Sequence, residues 1–199
     1  MTTDSDLPLK SEVSALAANI LRWLQEHAPD YARGPYNPGA TEAELTAVAE
    51  ALGRPLPPEL AALLRVVNGD VYFGEYNLLS TQQIAYTWGS SKKLLDEGPF
   101  ARFEPHHDSR GLLKPGWWHP GLLPVLEDSG GNELCIDLDP GPRGVVGQMV
   151  WWEVHEGPIP HGADSLLTLL RRHWQHLSSG KYASPEAWEA SSCWELTQA

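Results

Sequence analysis

The feature that most constrains the fold is a pair of short apolar segments separated by a glycine-rich turn sequence. Residues 122–126 form an uninterrupted apolar run, and residues 133–138 alternate between apolar and polar side chains. A period of two divides the second segment into two faces, Leu134, Ile136 and Leu138 on one and Glu133, Cys135 and Asp137 on the other. The intervening Asp-Ser-Gly-Gly-Asn, residues 128–132, is typical of a tight turn. The sequence therefore predicts a β-hairpin.

Helical patterns lie on both sides of this hairpin along the chain. Apolar residues recur at helical spacing in residues 11–27, 41–52, 57–67, 81–95 and 164–177, and Ser184-Pro185-Glu186 predicts one more helix start. Further strands are predicted within residues 71–79 and 145–152, and residues 100–116 are predicted to form an ordered loop. Because the strands cluster instead of alternating with helices, the order favours an α+β fold. We expect a mixed, mainly antiparallel sheet flanked by helices.

The charge balance excludes several classes of partner. The chain has 14 Lys and Arg against 26 Asp and Glu, a formal net charge of -12. Nucleic-acid backbones and anionic membranes bind clustered cations, so neither is an expected partner. No stretch approaches the run of about 20 apolar residues that spans a membrane. The polar, acidic N-terminus does not resemble a signal peptide, so a cytoplasmic location is expected.

The sequence contains no established catalytic or metal-binding motif. Candidates for a metal site are His106, His107, Asp108, His119, His155, Glu156 and His161, but their spacing fits no zinc pattern. His173 and His176 are predicted to be a pair on a helix surface. The nucleophile motif GxSxG is absent, and Cys135 is expected to be a small core residue. We predict no cofactor and no enzymatic activity, with a hydrolase or metalloprotein as the less favoured alternative.

Acidic and aromatic side chains concentrate around the predicted hairpin. Neighbours on a strand point to opposite faces, so each of the pairs Trp117-Trp118 and Trp151-Trp152 is predicted to place one ring outward. The carboxylates between Glu127 and Asp139 form either a solvated hairpin face or an acidic docking surface for a basic protein. The docking interpretation assigns partner binding to Trp117, Trp118, Asp128, Asn132, Glu133, Asp137, Asp139, Trp151, Glu153, His155 and Glu156.

Several segments in order resemble the SUKH superfamily, which includes cell-wall assembly regulators of the Smi/Knr type and many bacterial proteins. The resemblance is carried by residues 37–44, residues 52–60, Asn68-Gly69, Phe73-Gly74, Leu78-Leu79-Ser80, Trp88, Trp118, Leu123-Pro124-Val125, Asp128, Gly131-Asn132, residues 136–141, Gly144 and Gly147-Gln148. It implies an α+β domain over residues 36–181. Residues 1–35 are then an N-terminal helix and loop, and residues 182–199 a helical tail packing on the domain.

The same resemblance implies a binding role without established catalytic residues. Many bacterial members look like immunity proteins that neutralise toxins, whereas fungal members act in cell-wall and signalling complexes. We therefore expect a monomer or dimer that binds a basic protein, such as a toxin domain, through its acidic and aromatic surface. The alternative that the resemblance leaves open is a regulatory scaffold linked to cell-wall synthesis or signalling.

Overall fold

A computed structural model describes residues 6–28, 35–73, 76–103, 110–128 and 130–180. The helices are α1 (Asp6–His27), α2 (Glu42–Leu52), α3 (Pro58–Val66), α4 (Thr81–Asp96) and α5 (Leu166–Ser178), with a short 3-10 turn at Pro99–Arg102. The strands are β1 (Tyr72–Phe73), β2 (Tyr76–Leu78), β3 (Leu122–Glu127), β4 (Glu133–Asp137), β5 (Met149–Glu153) and β6 (Gly157–Pro160). The predicted segment 182–199 lies outside the described residues.

Local sequence signals fix the helix starts. The Thr41 hydroxyl accepts the Glu44 amide, while the Glu44 carboxylate accepts the Thr41 amide, so α2 begins with a capping box. Ser80 and Gln83 make the same reciprocal pair at the start of α4. The first helix begins at Asp6, earlier than the apolar pattern from residue 11 predicts.

The strands form one antiparallel sheet in the order β1-β2-β3-β4-β5-β6. The α+β fold and the hairpin of β3 and β4 are thereby confirmed, with a β-bulge between Pro124 and Leu126. The fifth strand begins at Met149, later than predicted. The edge strand β6 was not predicted, because its Gly-Pro-Ile-Pro sequence has the composition of a loop. Proline is tolerated there, since an edge strand leaves some amide positions unpaired.

One face of the sheet, here called the helix-covered face, packs against the helices. Its sheet residues include Leu123, Leu134, Ile136, Met149 and Trp151, which join a continuous apolar core with all five α-helices described. Within this core His173 of α5 is buried against the Phe73 ring, with ring centroids 5.2 Å apart. The prediction of a surface His173–His176 pair is therefore wrong. The helix turns its apolar stripe inward, and His173 lies on that stripe.

The opposite face, here called the aromatic-covered face, packs under the chain that connects α4 to β3. It presents Leu122, Glu133, Cys135, Val150 and Trp152. Phe100, Leu113 and Trp118 cover these residues, so the connection is an integral layer of the fold. None of the described helices is long and apolar enough to cross a membrane.

Candidate functional site

The paired tryptophans do not present one ring each to solvent. Trp151 and Trp152 do point to opposite faces, but they are only 8% and 7% exposed. Trp118 is also buried, and Trp117 is half-buried. The prediction of outward rings is wrong because both faces of the sheet are covered. The Phe100 ring lies 6.2 Å from that of Trp152 and 6.3 Å from that of Trp118.

The predicted acidic residues separate into two groups at opposite ends of the sheet. Glu133 begins β4 and Asp137 ends it, so at the usual strand rise the two residues lie about 13 Å apart. Asp139 follows at the Asp137 end. Asp128, Asn132, Glu153, His155 and Glu156 lie in the turns at the Glu133 end.

At the Asp137 end the side chains have a structural role. Asp137 is fully buried, and its carboxylate accepts hydrogen bonds from the Asp139 amide (3.0 Å) and the Gln148 side-chain amide (3.1 Å). Gln148 also donates to the Leu112 carbonyl, which ties the β4–β5 connection to the covering chain. Burial raises the pKa of Asp137, and burial lowers the pKa of His119, whose Nε2 lies 3.9 Å from Asp137 Oδ1. The structure therefore buries Asp137 in an internal hydrogen-bond network, and its predicted place on an exposed docking surface is wrong.

The β3–β4 turn is organised by one aspartate. Asp128 Oδ1 accepts the Gly130 and Asn132 amides at 2.7 and 2.8 Å, and its Oδ2 accepts the Asn132 side-chain amide at 2.7 Å. The Asn132 side-chain oxygen then accepts the Val154 amide at 3.0 Å. This bond joins the β3–β4 turn to the β5–β6 turn, so the carboxylates of both turns share one surface.

The β5–β6 turn adds two more carboxylates to that surface. Glu153 Oε2 accepts the His155 and Glu156 amides at 2.7 and 2.6 Å, while the Glu156 side chain is exposed. We call the surface formed by Glu127, Asp128, Glu133, Glu153 and Glu156 the acidic end. The two turns, residues 127–133 and 153–157, contain no lysine or arginine, so negative charge dominates there.

Glu133 is the least ordinary group of the acidic end. It is 7% exposed, and burial raises its pKa to about 7, with a smaller contribution from the nearby Glu127 charge. A carboxyl group taken from water without a cation is easier to bury in its protonated form. The docking interpretation places Glu133 on an exposed surface, whereas the structure buries its side chain under the covering chain, opposite the half-buried Glu127.

Aromatic rings flank the acidic end. The Trp117 and Phe103 rings stack with centroids 4.4 Å apart, and Phe103 is 46% exposed. The Trp117 ring lies directly over Gly157, where an added Cβ would sit 3.4 Å from the ring and the backbone φ is +78°. Trp152 donates its indole N–H to the Trp117 carbonyl at 2.9 Å. Glycine at residue 157 thus permits the close approach of an aromatic side chain to the acidic turn.

Nucleophile and metal chemistry have little support in the described part of the chain. Burial raises the pKa of Cys135 well above its ordinary value, so the thiol stays protonated. The described residues contain no group of three or more His, Cys, Asp and Glu side chains arranged to bind a metal. His106, His107 and Asp108 lie outside the described residues, so their candidacy as ligands stays a prediction.

Two residues beside this site were missed as candidates by the sequence reasoning. Asn77 lies directly opposite Glu127 across β2 and β3, and Phe103 completes the aromatic stack. The pairing of β2 with β3 joins residues that are far apart in sequence, and no local pattern reveals its register. Phe103 lies within the predicted loop of residues 100–116, where the sequence carries no signal of its stacking partner.

The comparisons with known proteins agree with this architecture. Residues 39–172 match the sequence profile of the "SMI1 / KNR4 family (SUKH-1)". The chain is similar to "Cell wall biosynthesis/cell cycle regulator smi1" of Schizosaccharomyces pombe, 27% identical over 166 residues that cover 71% of this chain and 31% of that protein. A match of 38 residues, 42% identical, to the "Glucan synthesis regulatory protein" of Neurospora crassa covers 19% of this chain and 7% of that protein.

The chain therefore spans less than a third of the length of these curated relatives. The family profile, in contrast, covers α2 to α5 and includes every strand of the sheet. On this match the chain belongs to the SMI1/KNR4 family, SUKH-1.

Proposed function

We propose that this chain acts by binding a basic protein partner, without catalysing a reaction. The observation that carries the proposal is the acidic end, where two hydrogen-bonded turns hold carboxylates together and contain no lysine or arginine. Like charges held on a rigid surface create a potential that attracts a cationic protein from a distance. The half-exposed aromatic stack beside them supplies apolar area that a partner can bury.

The proposed mechanism is electrostatic attraction followed by steric blocking. Exposed carboxylates such as Glu156 increase the association rate, and salt weakens this effect because charges are screened beyond about 8 Å at physiological ionic strength. Asp128 and Glu153 hold the turns by accepting backbone amides, so the surface is formed before the partner arrives. A preformed surface loses little conformational freedom on binding.

The first biological setting that we propose is toxin neutralisation in the cytoplasm. A bacterial immunity protein binds a toxin domain and covers its functional groove. A basic groove, such as one that binds nucleic acid, is complementary to the acidic end. In this setting the partner is the product of a neighbouring gene.

A second candidate is a regulatory role in cell-wall synthesis. It is favoured by the names of the fungal relatives, which are described as a glucan synthesis regulatory protein and a regulator of cell wall biosynthesis and the cell cycle. The partner would then be a component of the wall-synthesis machinery. The same acidic end serves both candidates, and only the identity of the basic partner differs.

The test is a binding measurement with the purified product of the neighbouring gene, and with wall-synthesis proteins from the same source. The informative variant is E127Q/E156Q, because neither side chain holds a turn. E50Q/E97Q is the matched control, since it removes the same charge from exposed sites on α2 and just after α4.

We expect E127Q/E156Q to weaken binding and to reduce its salt dependence, while E50Q/E97Q binds like the natural protein. Rescue of growth when the toxin is co-expressed identifies the immunity setting, and association with wall-synthesis proteins identifies the regulatory one. Equal binding by both variants, with no response to salt, would overturn the proposal.

A further inference from the structure

A row of hydrogen-bond acceptors crosses the sheet at the acidic end. Asn77 of β2 lies opposite Glu127 of β3, and Glu127 lies opposite Glu133 of β4. Directly opposed residues in an antiparallel pair share a face, with Cβ atoms about 4.5–5.5 Å apart. We call these three side chains the acceptor row. On the same face, Trp152 of β5 lies opposite Glu133 and continues the row as an aromatic ring.

The acceptor row is short of donors within the described residues. The Asn77 side-chain oxygen is buried and has no hydrogen-bond partner there. Glu133 is nine-tenths buried, and its contact is the Cys135 thiol, a weak donor 3.7 Å from Oε2. Several described lysine and arginine side chains pair with other carboxylates, at Arg65–Glu42, Lys92–Asp96, Lys93–Glu97, Lys114–Asp139 and Arg171–Glu12.

Such an arrangement is unfavourable in the free protein. Two carboxyl groups directly opposed across a strand pair repel each other when both are ionised. Buried acceptors that lack a donor lose their hydration without a replacement. Asp128 and Glu153 show how the same chain satisfies carboxylates elsewhere, with two backbone amides each. The side chains of the acceptor row lack such hydrogen bonds from backbone amides within the described residues.

We propose that the acceptor row is the anchor for an arginine side chain of the basic partner. A guanidinium group is planar and has five N–H donors, which suits two carboxylates and an amide oxygen placed side by side. Trp152, next in the row, offers a ring beside the planar cation. This inference rests on the proposed function, since it names the chemical group by which the partner is held at that same surface.

Arginine is favoured over lysine by the shape of the row. The acceptors extend across three neighbouring strands, a width of about 10 Å at the usual strand spacing. A lysine ammonium is a compact point charge that reaches one carboxylate well, whereas the guanidinium fork contacts two acceptors at once. Glu127 is only half-buried, so it forms the entrance through which such a side chain reaches Glu133.

The test uses N-acetylargininamide as the probe and the full chain labelled with ¹³C. At pH 6 the side-chain carboxyl signals of Glu127 and Glu133 are followed during titration, with N-acetyllysinamide and MgCl₂ as parallel probes. E133Q is the informative variant and E50Q is the charge-matched control. Glutamine has nearly the shape of a protonated glutamate, so E133Q is expected to fold, which an amide spectrum checks; E127Q serves as a second variant.

We expect saturable shifts with argininamide, and movement of the Glu133 signal toward its ionised position as the guanidinium displaces the proton. E133Q and E127Q should each lower the affinity for argininamide about tenfold or more, which corresponds to the loss of a hydrogen bond to a charged group. E50Q should leave this affinity unchanged. Equal binding of lysinamide, saturation by Mg²⁺ alone, or shifts unaffected by E133Q would overturn the arginine anchor.

The two proposals fail separately. If the partner binds the natural protein and E133Q equally well, the anchor is wrong while the binding function stands. If argininamide occupies the row but no basic partner binds in a salt-dependent way, the acceptor row stands as a guanidinium site and the proposed function falls.

Discussion

The two faces of the sheet are both buried, but they are buried in different ways. The helix-covered face packs aliphatic side chains of the strands against five helices. The aromatic-covered face places Glu133 and Asp137 in the same strand as the buried Cys135, under a layer of connecting chain. Alternation along β4 therefore separates an apolar core from a layer that contains buried carboxyl groups.

This difference separates the face that contributes most aliphatic burial from the face on which we propose partner binding. Burial of aliphatic side chains involves no protonation step, so the aliphatic part of the helix-covered face contributes to folding at every pH. A buried carboxyl group without a strong donor is tolerated where the remaining structure is stable enough to hold it. The aromatic-covered face thus tolerates the arrangement to which we assign the proposed arginine anchor.

The largest expected effect comes from truncating the helix-covered face. Leu134 is fully buried, so L134A should lower the free energy of unfolding by about 2–5 kcal/mol through lost burial and a residual cavity. Denaturant unfolding followed by circular dichroism measures this change. V145A is the control, since Val145 is 57% exposed and its truncation should fall within about 0.5 kcal/mol of the natural protein. Equal effects of the two substitutions would contradict the assignment of the core.

The second prediction uses two buried ionisable groups with shifted pKa values, His173 on the helix-covered side of the sheet and Glu133 on the aromatic-covered side. Burial lowers the pKa of His173 to about 3, so below its unfolded value of 6.5 the unfolded chain takes up a proton that the folded chain does not. Stability from this group therefore falls as the pH falls. Glu133, with its pKa raised to about 7 from 4.5, holds a proton only when folded, so its contribution falls as the pH rises.

Between pH 4.5 and 6.5 the two contributions oppose each other at about 1.4 kcal/mol per pH unit each. Relative to the natural protein, E133Q should gain stability as the pH rises, and H173Q should lose it. Urea unfolding at three pH values gives both slopes. E50Q, changed at an exposed carboxylate, should run parallel to the natural protein. If neither E133Q nor H173Q changes how the free energy of unfolding depends on pH, the pKa shifts assigned to Glu133 and His173 are wrong.

A third prediction compares two aspartates of the aromatic-covered side. D137A removes the acceptor of the Asp139 amide and of one Gln148 amide proton, and should lower the free energy of unfolding by about 1–3 kcal/mol. D139A removes an exposed carboxylate paired with Lys114, and stability should stay unchanged within error. Thermal unfolding of both variants checks this. A larger loss for D139A would show that the buried network does not hold the β4–β5 connection.

Local patterns predicted much of the secondary structure. The capping box at Thr41, the turn residues 128–132 and the alternation from Glu133 are short-range signals, and the structure confirms the elements that they predict. The edge strand β6 lacked such a signal, because its prolines suppress strand propensity while the edge position tolerates them.

The site was less predictable, because its character depends on contacts between distant parts of the chain. Alternation correctly placed Trp151 and Trp152 on opposite faces, but it did not reveal that Phe100 covers the second face. Because the sequence does not show this cover, the alternation in β4 predicts Glu133 as a surface carboxylate. The Asn77–Glu127 pairing links positions separated by a helix and a long connection, so the acceptor row emerges only in three dimensions.

The most direct measurement of the central claim is the pH titration of the Glu133 side-chain carboxyl by ¹³C NMR in the free protein. The claim is that the aromatic-covered face holds a carboxyl group without a strong donor, ready for a cation. It predicts an apparent pKa near 7 for Glu133, above that of Glu127 on the opposing strand. A Glu133 pKa at the ordinary value of about 4.5 would contradict it, because the carboxyl group would then be solvated or already paired.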